Sequence, residues 1–104
     1  MVVKCASCGV DLAADVDRTR KGFICASIMG DEHIETYFFC EACGVYTVED
    51  YHDRFMGDDE VSTSGPVSKD KGDRKLAIIA RCPDPANKRC RCEAHREYFG
   101  SWLD

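Results

Sequence analysis

The sequence contains no long apolar run. Its longest unbroken apolar stretch, residues 76–80, has five residues, whereas a membrane-spanning helix needs about 18 or more. The first fifteen residues mix apolar, charged and thiol side chains and never reach the run of about 7 to 15 apolar residues that a signal peptide contains. We therefore expect no membrane association and a cytoplasmic protein.

Recognisable catalytic motifs are also lacking. There is no His-Glu-x-x-His pair, no Gly-x-Ser-x-Gly elbow and no phosphate-binding glycine loop. Carboxylates do occur side by side at Asp58-Asp59-Glu60, but a contiguous acidic run is typical of a solvated surface. The sequence predicts that the protein is not an enzyme.

Positive charge is scarce over most of the chain. Acidic residues outnumber basic ones by 19 to 14, for a net charge of −5. The imbalance lies in residues 1–70, which have 14 acidic and 6 basic residues, whereas residues 71–104 have 5 and 8. Because a negative chain repels phosphate at long range, the composition disfavours nucleic acid as a partner and favours a protein.

Cysteine, in contrast, is abundant, with eight in 104 residues. Such a density indicates either a disulfide scaffold or metal ligation. Six of the eight lie in close pairs, namely Cys5/Cys8, Cys40/Cys43 and Cys90/Cys92. Disulfides within such short pairs are strained, and no secretion signal precedes them, so the pattern favours metal.

The first two pairs belong to an internal repeat. Cys5 and Cys8 begin a Cys-x-x-Cys-Gly-Val frame that returns at Cys40 and Cys43. Residues 22–29 and 32–39 between the frames are rich in β-branched and aromatic side chains, which predicts a hairpin. A hairpin would bring the frames together, so that four thiolates can form the tetrahedron of a structural zinc site.

These doubled knuckles resemble those of the zinc-ribbon superfamily, of the rubredoxin type, over residues 5–44 only. The resemblance implies a metal-bound hairpin, and it makes iron possible at this first site, with electron transfer as the alternative function. Rubredoxin knuckles usually place proline after the first cysteine, whereas this chain has Ala6 and Glu41. That difference favours zinc.

A second possible metal site lies near the C-terminus. Its candidate ligands, three thiols and an imidazole within fourteen residues, are Cys82, Cys90, Cys92 and His95. A local Cys3His set suits a second structural zinc ion, which gives two zinc ions per chain. Cys25 is left over, either as a small buried thiol or as a ligand of the second site in place of His95.

The remaining pattern predicts short helices and an α+β fold. Thr47 and Asp50 resemble a capping box before a helix over 48–56, and the polar stretch 57–72 is typical of a linker or surface loop. Further helices are expected over 73–81 and 93–103, the latter with His95 facing inward. The expected domains are a zinc-ribbon lobe (1–56), the linker (57–72) and a Cys3His lobe (73–104).

Three further features bear on function. His33 and His52 have no cysteine pair beside them and are expected to be solvated. A basic cluster, formed by Lys88, Arg89, Arg91 and Arg96, could hold phosphate or stacked bases or simply solvate the metal loop. The sequence predicts a zinc-binding adaptor for a protein partner. A nucleic-acid-binding zinc protein and a thiol redox sensor are competing hypotheses, besides electron transfer.

Overall fold

Four β-strands form the centre of the fold. The computed structural model describes residues 2–54 and 57–100, and its antiparallel sheet has the strands in chain order. The strands are β1 (Arg20–Ile28), β2 (Asp31–Cys40), β3 (Val45–Asp53) and β4 (Glu60–Ser68). A 3-10 turn (Leu12–Asp15) and α1 (Val16–Thr19) precede the sheet, and α2 (Lys69–Ala80) and α3 (Glu93–Phe99) follow it.

This combination of an antiparallel sheet with short helices agrees with the expected α+β class. None of the helices that the structure describes has the length and apolar character to cross a membrane.

The expected hairpin is confirmed as β1 and β2. Ile28 pairs with Asp31 across a two-residue turn, in which Met29 and Gly30 have φ angles of 53° and 84°. Positive φ at both central residues is the requirement of the tight turn that matches the twist of a hairpin. The hairpin returns the end of β2 to the N-terminal segment and thereby brings the two cysteine frames together.

The helix expected over 48–56 is wrong. Residues 45–53 form β3, which pairs with β2 on one side and β4 on the other; Phe55 and Met56 lie outside the described residues. Thr47 does not cap a helix but is fully buried, and its hydroxyl accepts a hydrogen bond from the Ala6 amide at 2.9 Å. Pairing on both edges overrides the weak helical spacing, as tertiary context often does.

The linker expected over 57–72 is also wrong. Residues 60–68 form β4, and α2 begins at Lys69 with the Ser68 hydroxyl as its N-terminal cap. β4 is almost wholly exposed because it is the outer strand, and a polar, proline-containing sequence is what edge strands commonly show. Its composition therefore gave no sign of a strand.

The two later helices are confirmed. α2 covers the expected residues 73–80 and starts four residues earlier, and it ends before Cys82-Pro83. α3 carries His95, Tyr98 and Phe99 toward the interior as expected; Trp102 and Leu103 lie outside the described residues.

Apolar packing joins both parts of the chain on one face of the sheet. Side chains of β1, β2 and β3 pack there with Ile79 of α2 and Phe99 of α3 in one buried cluster. The ring of Tyr46 lies against Gly72, where an added Cβ would come within 2.1 Å of it, and the Tyr46 hydroxyl donates to Asp73 at 2.5 Å. The N-terminal segment covers part of the opposite face, with Val3, Leu12 and Phe38 buried together.

Candidate metal centres

The two Cys-Gly-Val frames fold alike and meet at one end of the sheet. In each, the glycine amide donates to the carbonyl of the first cysteine, Gly9 to Cys5 at 2.9 Å and Gly44 to Cys40 at 2.8 Å. Both glycines have positive φ, 81° and 68°, which suits glycine because it has no Cβ. The repeat in the sequence is therefore a repeat of the turn.

The four sulfur atoms of this first cluster are spaced as a tetrahedral metal requires. The cluster consists of Cys5, Cys8, Cys40 and Cys43, whose sulfurs all lie within 4.8 Å of one another. The Cys5–Cys43 sulfur distance is 4.0 Å and the Cys8–Cys40 distance is 3.8 Å. Zn–S bonds of about 2.3 Å place tetrahedral sulfurs about 3.8 Å apart, so the residues fit a metal ion, and no disulfide links them.

The thiols of the first cluster differ in how readily they ionise. Burial acts to raise the pKa of Cys5, but the amides of Cys8 and Ser7 donate to its sulfur, and its pKa is lowered to about 6. Hydrogen bonding with Cys8 instead raises the pKa of Cys43 to about 12. Cys5 therefore ionises readily, whereas Cys43 does not. A divalent cation would stabilise the thiolate form of all four cysteines.

The second cluster lies beside the outer edge of β1. It consists of Cys82, Cys90, Cys92 and His95, whose ligand atoms also lie within 4.8 Å of one another. Cys82 follows α2, Cys90 ends the loop after it, and Cys92 and His95 belong to the first turn of α3. The Cys82 sulfur lies 3.8 Å from that of Cys90 and 3.5 Å from that of Cys92.

The position of His95 determines which ring nitrogen can bind a metal. Its Nε2 lies 2.8 Å from the carbonyl oxygen of Cys25, and because a carbonyl only accepts, Nε2 carries the proton. In the neutral imidazole, Nδ1 then presents a lone pair to the cluster, 3.0 Å from the Cys82 sulfur and 3.6 Å from that of Cys92. A hydrogen bond from the far nitrogen to a carbonyl is the usual way in which a ligating imidazole is oriented.

The thiols of the second cluster also differ in how readily they ionise. Burial raises the pKa of Cys82 to about 12. Burial also acts to raise the pKa of Cys92, but the His95 amide donates to its sulfur at 3.4 Å, and the pKa is lowered to about 6. Three thiols and a neutral imidazole arranged in this way fit a divalent metal ion.

Cys25 lies outside both clusters, which confirms its interpretation as a small buried thiol. Its side chain is 5% exposed, and burial raises its pKa. Its backbone, however, has a role that the spacing of side chains could not reveal. The Cys25 amide donates to the Pro85 carbonyl oxygen at 2.7 Å, and the Ser27 amide donates to the Lys88 carbonyl oxygen at 3.1 Å. The Cys25 carbonyl oxygen accepts a hydrogen bond from His95 Nε2.

His33 and His52, which were expected to be solvated, are only partly exposed. They are cross-strand partners in β2 and β3, with rings stacked at 4.1 Å and side-chain exposures of 19% and 24%. The His33 Nδ1 atom lies 3.6 Å from Asp50 Oδ1, and the His52 Nε2 atom lies 2.8 Å from Asp31 Oδ2. This pairing was not predicted because residues 48–56, which include His52, were expected to form a helix.

Both clusters can therefore hold a metal ion with protein atoms alone. Each supplies four nitrogen or sulfur atoms close enough to bind one ion, which is the number of ligands that a tetrahedral metal ion takes. The chain matches no protein-family model, no curated protein and no solved structure.

Proposed function

We propose that the protein is a recognition module built around two structural zinc ions, and that it binds a protein partner without acting as an enzyme. The observation that carries this proposal is the completeness of both ligand sets, since four protein ligands at each cluster fit a metal that supports the fold. The knuckles and hairpin over residues 5–44 support the interpretation of the first site as a zinc ribbon.

The basic cluster offers little support for nucleic acid. The Lys88 ammonium lies 3.5 Å from the Glu32 carboxylate, and the Arg91 guanidinium donates to the Lys88 and Cys90 carbonyl oxygens at 3.3 and 3.1 Å. These cations help to shape the loop of the second cluster. Together with the net charge of −5, this favours a protein as the partner.

All eight cysteines are free thiols, and metal-binding thiols persist in a reducing compartment. This supports the proposal of a cytoplasmic protein. The ligand types favour zinc over iron at the second cluster because imidazole with thiolates suits zinc.

Elemental analysis of the purified chain tests the metal part. We expect close to two zinc ions per chain, and cobalt substitution should give the visible spectrum of tetrahedral coordination, unchanged by added azide, because no ligand position is open. Stoichiometric iron at the first cluster would move the assignment to electron transfer, and an azide-sensitive spectrum would indicate an open site and reopen the possibility of catalysis.

Oligonucleotide titration tests the choice of partner. Fluorescent single-stranded and duplex oligonucleotides should show no binding below the high micromolar range at low or physiological salt. Sub-micromolar binding with a steep salt dependence, abolished by Arg89→Ala with Arg91→Ala, would contradict the proposal because phosphate contacts release counterions. Affinity capture from nuclease-treated extract should recover a protein with the zinc-loaded chain and lose it with Cys40→Ser.

A further inference from the structure

The two outer strands of the sheet differ in what lies beside them. β1 is covered along its outer edge, where the amides of Cys25 and Ser27 donate to carbonyl oxygens of residues 85 and 88. β4 pairs with β3 on one side, and on its other side no described residue forms a backbone hydrogen bond with it. Every residue of β4 except Val67 is exposed. The outer edge of β4 is therefore open.

The sheet register identifies the main-chain groups that this edge presents. One row of cross-strand partners runs from Cys25 through Ile34 and Tyr51 to Val61. The Cys25 amide points away from β2, toward the loop. Because a residue in an antiparallel sheet bonds to the strand on one side only, Ile34 and Tyr51 bond to each other, and the N–H and C=O of Val61 point outward. The same direction returns two residues later, at Thr63.

The run from Val61 to Gly65 lacks the features that usually protect an outer strand. It contains no charged residue and no proline, whereas exposed edges are commonly blocked by lysine, proline or a bulge. Pro66 and an irregularity of the register follow the run, and acidic residues precede it. The open edge is therefore about 17 Å long, which suits one short strand.

An apolar row ends at this edge, on the sheet face opposite α2 and α3. Ile34 and Tyr51 are half-buried, and Val61, the next member of the row, is 61% exposed. A strand added to β4 would place a side chain beside Val61 and continue the row, because cross-strand neighbours on one face contact each other. A β-branched residue suits that position.

Charge and size favour a basic segment of another protein over a second copy of this chain. Asp58, Asp59 and Glu60 lie exposed at the start of β4. Glu60 forms an ion pair with Arg54 at 2.8 Å, and the other two form none with a described residue. Two copies, each with a net charge of −5, repel each other, and so short an edge is small beside the roughly 800 Å² per partner that a stable interface buries.

We propose that the outer edge of β4 binds the protein partner by strand addition. An extended segment of the partner, with alternating β-branched residues and a flanking lysine or arginine, pairs with the main chain of Val61 and Thr63. Main-chain hydrogen bonds supply the affinity of such a complex, and alternate side chains supply its selectivity. This inference rests on the proposed function, since it describes how the recognition module binds its partner.

The test is an NMR titration of the isotope-labelled chain, shown by elemental analysis to hold two zinc ions. The probe is the peptide acetyl-Lys-Thr-Val-Thr-Val-Thr-Lys-amide. It should give saturable shifts in β3 and β4 and, at saturation, slow the hydrogen exchange of the Val61 and Thr63 amides roughly tenfold, because these amides become hydrogen-bonded. The Ser62 and Ser64 amides, which already face β3, should change little.

Three matched peptides separate main-chain pairing from other contacts. N-methylation of the two valines removes the N–H donors from one side of the extended peptide, and N-methylation of the three threonines removes them from the other. One of these two forms should lose binding and the other should keep it, since only one side of an added strand faces β4. Replacement of both lysines by glutamate should weaken binding several-fold at low salt.

A proline substitution tests the edge from the side of the chain. Thr63→Pro removes an outward N–H and leaves the bonds to β3, as prolines on outer strands do, so the peptide should bind at least tenfold more weakly. Thr63→Val, the matched control, keeps the N–H and should retain the affinity. If Thr63→Pro loses its zinc or its native spectrum, the exchange data and the N-methylated peptides decide.

Several results would overturn strand addition at β4. They are equal effects of the two N-methylations, tighter binding of the glutamate peptide, full affinity in a folded Thr63→Pro variant, and absence of saturable shifts in a chain with two zinc ions. Each of these leaves the recognition module in place, whereas a chain that binds no zinc contradicts the proposed function itself. Protection of the Val61 and Thr63 amides without peptide, increasing with protein concentration, would make a second copy the occupant.

Discussion

At the scale of single residues, His95 links a side-chain cluster to a strand. Its Nε2 donates to the Cys25 carbonyl oxygen and its Nδ1 faces the thiols. This hydrogen bond orients the imidazole for the ligand role that we propose and fixes its tautomer.

Two substitutions distinguish a cysteine that binds metal from one that does not. Cys90→Ser should remove one equivalent of metal and destabilise the loop and α3, because the metal supplies folding free energy that so short a segment lacks. Cys25→Ser should leave the metal content unchanged, since its thiol belongs to neither cluster. Elemental analysis and circular dichroism measure both. Loss of metal in Cys25→Ser with retention in His95→Ala would instead make Cys25 the ligand.

Glu49 should make the protein more stable in mildly acidic solution. It is 8% exposed, its Oε2 has no hydrogen-bond partner among the described residues, and burial raises its pKa above the ordinary 4.5. A raised folded-state pKa contributes stability that is full below about pH 4.5 and is lost as the pH rises through the folded value.

Glu49→Gln should therefore raise the free energy of unfolding at pH 7 by about 1 kcal/mol and flatten its dependence on pH above 4.5. Urea unfolding at several pH values, with the exposed Asp58→Asn as control, measures this. Equal pH profiles for the wild type and Glu49→Gln would mean that this carboxylate is solvated.

At the scale of elements, α2 is held to the sheet through a contact that only glycine permits. Gly72→Ala should destabilise the chain by about 1–3 kcal/mol, the usual cost of overpacking, because the new Cβ would meet the ring of Tyr46 at 2.1 Å. Gly22→Ala should cost less, since its Cβ would meet only the end of the flexible Leu76 side chain at 2.7 Å.

Thermal unfolding of Gly72→Ala and Gly22→Ala shows which of the two substitutions costs more stability. Helix propensity alone would make Gly72→Ala stabilising by about 1 kcal/mol. A stabilised Gly72→Ala variant would therefore show that α2 packs more loosely on β3 than this contact implies.

The elements differ in how far the sequence could reveal them. The hairpin was predictable because its β-branched runs and its Gly30 turn are local signals, and α2 and α3 were predictable from apolar spacing. β3 and β4 were not, because Val48 and Tyr51 also fit a helical period and β4 has almost no buried side chain. The strand character of these residues depends on pairing with distant neighbours, which no local window contains.

The candidate sites divide in the same way. Both cysteine sets could be proposed because metal ligands have characteristic spacings within a few residues. The His33–His52 stack could not, since it depends on the register between β2 and β3.

At the scale of the whole molecule, the two metal ions that we propose would add to the stability that the buried apolar clusters give the sheet. Removal of both metal ions by a chelator should abolish the cooperative unfolding transition, because each structural zinc contributes on the order of 10 kcal/mol in peptide systems. Circular dichroism with a zinc-sensitive dye follows both events, and added zinc should restore the fold. A metal-free chain that still unfolds cooperatively near the original temperature would show that the metals are not structural.

The hydrogen bonds that residues 85–95 make to β1 also bear on solubility. The amides of Cys25 and Ser27 are donors on an outer strand, and the loop of the second cluster occupies them. Exposed strand edges of this kind are templates for intermolecular pairing. If the second cluster holds zinc as we propose, loss of the ion would free the loop and turn β1 into such a template, so zinc-depleted chains should accumulate as strand-paired aggregates.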